Sequence, residues 1–393
     1  MFAYLQRIGR ALMLPIAVLP AAGILLRFGQ SDLLNIPWMA DAGNAVFSNL
    51  PLLFAVGVAA GFTADVGTAA VAAAVGYWVF TSALTDIGAI FYTKDQLATQ
   101  GGLNTGVLGG IMMGLIGATL YGRYHAIRLP EWLAFFGGRR FVPIVTAFAG
   151  LVIGAIFGVV WYYPQLALHD VATGLTTAGA AGAAIHAFLN RLLIPVGLHH
   201  VINSVVWFQF GDLNNFFCAD GNTVGAACVK GAQGGQFMTG FFPIMMFGLP
   251  AAALAMYTSA RAQNRKIIGG ILFSAALTSI ITGITEPIEF SFMFVAPVLY
   301  LLHAVLTGIS AFITIALGIR DGFTFSAGAI DYLINFNIAT QPLLLLVIGA
   351  VFAVVYYFSF AFIIRALDVP TPGREPEAVE EFGEVPESAP VPA

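Results

Sequence analysis

The stretch ITGITEPIEFSFMFVAPVLY, residues 281–300, carries two glutamates, Glu286 and Glu289, inside a run that is otherwise apolar. In a chain of ordinary composition the pair would pass as a solvated turn. Here the surroundings forbid that reading. The chain has 393 residues, 59% of them hydrophobic and only 9% charged, and its mean hydropathy is +0.87, whereas soluble domains carry about 25% charged residues. Such a chain has a bilayer for solvent, and a carboxylate at membrane depth costs about 2.5 to 3.5 kcal/mol on insertion scales, so it is kept where it faces a cavity or a partner.

Outward from this stretch, apolar runs recur at 11–26, 46–60, 66–80, 103–120, 141–160, 172–195, 236–257, 267–285, 290–318 and 342–364. Most approach the roughly 20 residues that cross a hydrocarbon core as a helix. No alternating pattern of barrel strands is present, so internally hydrogen-bonded helices are the physical solution. The expectation is an all-α polytopic membrane protein with about ten transmembrane helices, its first helix uncleaved. Basic residues gather at Arg7 and Arg10, at Arg123, Arg128, Arg139 and Arg140, and at Arg261, Arg265 and Lys266, while the 28–45 connection has Asp32 and Asp41 and no Lys or Arg. The positive-inside rule then puts the N-terminus and the three basic groups on the cytoplasmic side.

Net charge is −4, but residues 371–393 hold six glutamates against one arginine, leaving the rest of the chain close to neutral. That Pro- and Glu-rich segment reads as a disordered cytoplasmic tail. Cys218 and Cys228 lie ten apart in a polar connection and match no metal spacing; a disulfide and two free thiols stay open.

Three segments break the membrane pattern. Residues 196–211, VGLHHVINSVVWFQFG, are too short and polar for an ordinary span, yet parity of the basic loops requires them to contribute a net crossing. Gly283 and Pro287 interrupt the run around Glu286, and 321–337, DGFTFSAGAIDYLINFN, is short and mixed. Interrupted segments of this kind are the best sequence pointer to a transporter's binding site. All three fall in the second half.

The first break supplies His199 and His200, whose rings donate and accept hydrogen bonds and titrate near neutral pH. Arg191, eight residues earlier, has no acid near it in sequence; it either snorkels to the interface or clamps a polar ligand, with a partner from elsewhere in the fold. Glu286 falls at the break, with Pro287 favouring extended backbone there, and Glu289 one turn into the following helix. Asn203, Gln209, Asp331, Asn335 and Asn337 add hydrogen-bonding groups, and Trp207, Phe208 and Phe210 add aromatic surface, a mixture that suits a polyol. Nothing matches a P-loop, a zinc set, a nucleophile elbow or a nucleic-acid patch, and no cofactor is expected.

GITEPIEF (283–290), RLLIPVGLHH (191–200), RIGRALMLPIAVLPAAGILL (7–26), FFGGRRFVPI (135–144), GLPAAALAMY (248–257), FSAGAIDY (325–332) and TPGRE (371–375) together resemble the membrane IIC component of the bacterial phosphoenolpyruvate-dependent sugar phosphotransferase system, glucose superfamily. Within it, NRLLIPVGLHHVINSVVWFQFGD and GFFPIMMFGLPAAALAMY look most like the N-acetylglucosamine branch, with the glucose branch second. The resemblance implies a homodimer in the bacterial inner membrane. A scaffold domain, residues 1–170, carries five helices; a sugar-binding domain, 171–369, carries two re-entrant hairpins and moves as an elevator; a tail occupies 370–393. It also implies that Arg191, His199 and Glu286 contact the sugar and that Glu286 holds the C6 hydroxyl with His199 beside it; His200, Asn203 and Gln209 are further candidate sugar-binding residues. Glu289 and Pro287 would support the hairpin. Since the sequence ends in an acidic tail rather than a IIB domain, a separate phospho-IIB protein is expected as phosphoryl donor. The competing class is a proton-coupled symporter with Glu286 and His199 as a relay; a sensor or facilitator without a IIB partner is a third.

Overall fold

The computed structural model describes residues 11, 18–30, 33–98, 102–196, 199–209 and 234–374. Cys218, Cys228 and the acidic tail beyond Arg374 lie outside them, as do the side chains of His200, Phe208, Gln209 and Phe210. The regular structure of the described residues is helical apart from a single antiparallel bridge, Arg320 to Thr340.

The first half begins with α1 (Leu19–Phe28), α2 (Pro37–Ser48) and α3 (Leu50–Phe62). The last two form one apolar stretch bent by 53°. Pro51, in the first turn of α3, cannot donate to the preceding turn, so the helix must restart there. The long helix α4 (Val66–Phe91) has 26 residues and rises about 39 Å. Asp65 starts it, accepting from the Thr68 backbone at 3.3 Å and hydroxyl at 2.9 Å and pairing with Arg139 at 3.1 Å. Those bonds, the Thr68 hydroxyl first, hold the Asp65 carboxyl below its usual pKa, so this cap is complete in neutral solution and is lost only as acid protonates it.

α5 (Gly106–Tyr124) packs on α3, and α6 (Phe141–Val160) packs along α4. The second pairing is close because Gly150, Gly154 and Gly158 share one face of α6 at four-residue spacing: a methyl on Gly150 or Gly154 would lie 2.5 Å from the carbonyl oxygen of Gly76 or Phe80. Small residues at this spacing drive helix association in lipid, where apolar burial gives no net gain. α7 (Tyr162–Thr177) and α8 (Ala180–Leu193) divide the 172–195 run at Gly179, whose φ of +57° no ordinary residue adopts cheaply.

After α8 the chain passes through α9 (His199–Ser204) and a wide π-type turn, Val205–Gln209. A second such turn, Ile244–Gly248, leads into α10 (Leu249–Ser259). α11 (Arg265–Thr282) ends on Gly283 in the left-handed region (φ +73°), and the short α12 (Glu286–Phe292) follows before α13 (Pro297–Ala316). α14 (Ala329–Asn335) sits in a loop closed at its neck by Arg320 and Thr340, whose backbones exchange hydrogen bonds of 3.2 and 2.7 Å. α15 (Pro342–Ala366) is the last helix, and Thr371 to Arg374 then fold back on the 258–264 turn, with the Arg374 guanidinium on the Ser259 carbonyl at 2.9 Å.

Six described helices are long and apolar enough to cross a membrane, Val66–Phe91, Gly138–Val160, Thr239–Ser259, Arg265–Thr282, Pro297–Ala316 and Pro342–Ala366, or seven with the bent α2–α3 pair. The other apolar runs of the sequence are broken, short, glycine-diluted or partly outside the described residues. On α15, Val347, Val351, Val354, Phe358 and Phe362 are exposed on one face, a surface fit for acyl chains and unfit for water.

The buried apolar side chains fall into one large cluster, drawn from Ala183 to Val369 together with Leu26, and three smaller ones drawn from Leu19 to Met113. The 321–339 loop docks against the end of α11, where the Ser326 hydroxyl donates to the Gly283 carbonyl at 2.8 Å. At Gly328 a methyl would lie 2.5 Å from the Gly283 nitrogen and 2.7 Å from the Ile281 oxygen. Gly328→Ala is therefore expected to cost about 1–3 kcal/mol through backbone displacement, read as a lower unfolding midpoint in detergent; an unchanged midpoint would mean that the contact yields freely.

Candidate functional site

A cavity of about 490 Å³ opens where the breaks meet, within the range of small-ligand sites. Leu19 and Phe54 from the first half face it on one side. The other walls come from the second half: Asn190 and Arg191 at the end of α8, His199, Asn203 and Trp207 around α9, Thr285 and Glu286 at the start of α12, and Phe323, Phe325 and Ser326 from the loop. Polar groups are thus confined to the second half, and aromatic rings supply much of the remaining wall.

Each polar side chain arrives there for a local reason. Gly283 ends α11 and frees the chain to turn, and Pro287 lies in the first turn of α12, where its missing N–H costs no hydrogen bond. Glu286 accordingly begins the helix instead of preceding it in an extended segment, as the proline alone suggested, with Pro287 accommodated at the second helical position, where a missing N–H costs nothing. Its side chain keeps 22% exposure into the cavity, and Oε2 accepts from the Thr285 backbone at 3.1 Å. Oε1 lies 4.0 Å from Nε2 of His199. A single hydroxyl oxygen placed about 2.8 Å from both would be held by the pair at once.

Glu289, three residues on, does not line the cavity and is fully buried. Its Oε1 takes the Arg191 guanidinium at 2.7 Å and Nε2 of His303 at 3.0 Å. Arg191 is itself buried, reaches the Thr285 hydroxyl at 3.4 Å and stacks 4.8 Å from the centre of the Phe241 ring. Tyr300 donates its hydroxyl to the Arg191 carbonyl, and His303 is bound through Nδ1 to the Tyr356 hydroxyl at 2.8 Å. Arg191 is buried and does not snorkel to the interface, and its partner comes from elsewhere in the chain. Asn190 donates to Asn203, tying α8 to α9 beside the cavity.

The structure thus brings Arg191, His199, Asn203 and Glu286 to one cavity and leaves Glu289 behind its wall. Asp331 is outside it: buried, it accepts from the backbone and hydroxyl of Thr324 at 2.7 and 2.8 Å and shapes the loop. Asn335 is buried on the Gly322 carbonyl at 2.8 Å, and Asn337 is exposed. His303 and Tyr356 were not singled out from sequence, although a lone histidine in the apolar helix 297–316 was a visible signal. No group of three or more metal-ligating side chains occurs among the described residues.

Broken membrane helices meeting at a small-ligand-sized cavity with its polar groups on one side define the class: a helical membrane protein with an internal cavity at its helix breaks. Comparison with known proteins supplies the particular. The sequence model of the family described as "Phosphotransferase system, EIIC" matches residues 9–308, and the chain belongs to that family. It is 50% identical over 388 residues to the PTS system N-acetylglucosamine-specific EIICBA component of Escherichia coli (strain K12), covering 95% of this chain and 56% of that protein. It is 48% identical to the N-acetylglucosamine-specific EIICB component of Bacillus subtilis (strain 168), covering 97% and 81%, and 49% identical to the N-acetylglucosamine-specific EIIC component of Streptomyces coelicolor, covering 96% and 94%. The chain spans little more than half the length of the first of these relatives.

Proposed function

We propose that this EIIC chain is the membrane permease for N-acetylglucosamine and presents the sugar's C6 hydroxyl to a phosphorylated IIB component. The observation that carries the reading is the cavity in which Glu286 and His199 stand 4.0 Å apart with Arg191 and Asn203 beside them. The N-acetylglucosamine specificity of the three relatives named above supports the choice of sugar.

In this reading a pyranose packs its apolar C–H face on the aromatic wall, while its hydroxyls and acetamido group take the polar side chains of the second half. The Glu286 carboxylate accepts the hydrogen bond of the C6 hydroxyl and draws on its proton as the oxygen attacks phosphorus in line; His199 orients the same oxygen. The first 170 residues act as a scaffold that pairs with a second copy, and residues 171–369 carry the sugar across as a unit. Both termini lie in the cytoplasm. Because Leu19 and Phe54 close the cavity from the scaffold side, movement of the second half past them would open the sugar to one face of the membrane or the other.

The test is uptake into sealed vesicles. The chain is expected to deliver phosphorylated N-acetylglucosamine when phospho-IIB is supplied inside and none without it. Accumulation of free sugar driven by a proton gradient, with no IIB present, would establish the symporter instead. His199→Ala is expected to weaken N-acetylglucosamine binding by about tenfold, the loss of one hydrogen bond to a polar ligand, in a titration with purified protein; an unchanged affinity would assign that ring to packing.

A further inference from the structure

From Arg191 at the cavity wall a series of buried polar contacts runs away from the cavity. Arg191 on α8 bonds Glu289 on α12 at 2.7 Å, Glu289 bonds Nε2 of His303 on α13 at 3.0 Å, and Nδ1 of His303 bonds the Tyr356 hydroxyl on α15 at 2.8 Å. All four side chains are buried. A bare Arg–Glu pair could satisfy the charges, yet both groups together would remain free to swing. Here the same carboxylate oxygen is gripped from two sides, by elements that share the large core.

The tautomer matters to the grip. For His303 Nε2 to donate to the carboxylate while the ring stays neutral, Nδ1 must accept, and the Tyr356 hydroxyl is the donor in reach. Without that hydroxyl the ring could place its proton on Nδ1 and turn a lone pair toward Glu289, releasing it.

We infer that His303 is a positioning residue for the sugar site, acting through Glu289 to fix Arg191 at the cavity wall, with Tyr356 setting its tautomer. The inference rests on the sugar-site reading above. Since a displacement of about 1 Å at a binding group costs up to about a hundredfold, His303→Ala should act on affinity as well as on folding.

The experiment measures N-acetylglucosamine affinity and melting temperature of the purified full chain for the wild type, His303→Ala, His303→Gln, Tyr356→Phe, Arg191→Ala and the double variant Arg191→Ala/His303→Ala. Glutamine at 303 is the folding-safe variant, because its amide N–H can still donate to Glu289. The expected result is at least about a tenfold loss of affinity for His303→Ala, recovery to within about threefold for His303→Gln, an intermediate loss for Tyr356→Phe, and no loss in the double variant beyond that of Arg191→Ala. Affinities equal to wild type for the folded variants, or losses at 191 and 303 that simply multiply, would overturn the inference and leave the sugar site standing. A wild type that binds no N-acetylglucosamine would overturn both.

Discussion

Replacing Glu286 by glutamine is expected to lower phosphorylation of N-acetylglucosamine by about 10²- to 10⁴-fold, the range for loss of a general base, while the protein still inserts and unfolds at a normal temperature. The substitution keeps the shape of the side chain and its partial exposure to the cavity. What disappears is the negative charge that draws the hydroxyl proton. An amide can still accept a hydrogen bond there, so sugar affinity should change far less than turnover. Phosphotransfer from phospho-IIB in vesicles, with sugar binding measured alongside, separates the two quantities. Near-normal turnover would remove Glu286 from the chemistry and return it to the role of a helix-start acid.

The second large effect is expected at Glu289, and it is on stability. Glu289→Ala leaves the Arg191 guanidinium buried without its carboxylate, and breaking one side of a buried pair costs about 3–5 kcal/mol. His303 also loses its acceptor. Unfolding in detergent reads the loss directly. Replacing both members, as Arg191→Met/Glu289→Met, should recover much of the stability, because two apolar side chains of similar volume need no compensation, and it should abolish sugar binding. A loss under about 1 kcal/mol for Glu289→Ala would mean that water reaches the arginine.

These two glutamates are three residues apart in one motif, but what sets each one's task lies at different distances along the chain. Glu286 is positioned by Gly283 and Pro287, both readable in the sequence as a break. Glu289 is assigned its task by Arg191, 98 residues earlier, and by His303 on the next helix. The resemblance gave it a supporting role in the hairpin; the geometry makes it the counter-charge of Arg191. Similarly, Asp331 and Asn335 had the chemistry of ligand groups, but the Asp331 carboxylate and the Asn335 amide N–H are taken up within their own loop. A side chain's donors and acceptors can be listed from sequence, whereas whether the fold has already used them cannot.

By itself the sequence determined the solvent of this protein, its helical class and the segments at which the membrane helices fail, because each follows from composition, apolar length or the local effect of glycine and proline; its family is carried by the motifs it shares with relatives. Only the tertiary structure decided which polar groups meet. The cavity draws its walls from both halves of the chain, and the Arg191–Glu289–His303–Tyr356 series crosses four helices. In a low-dielectric interior each of these groups must find a partner or face a pocket, and which of the two befalls it depends on contacts between residues far apart in sequence.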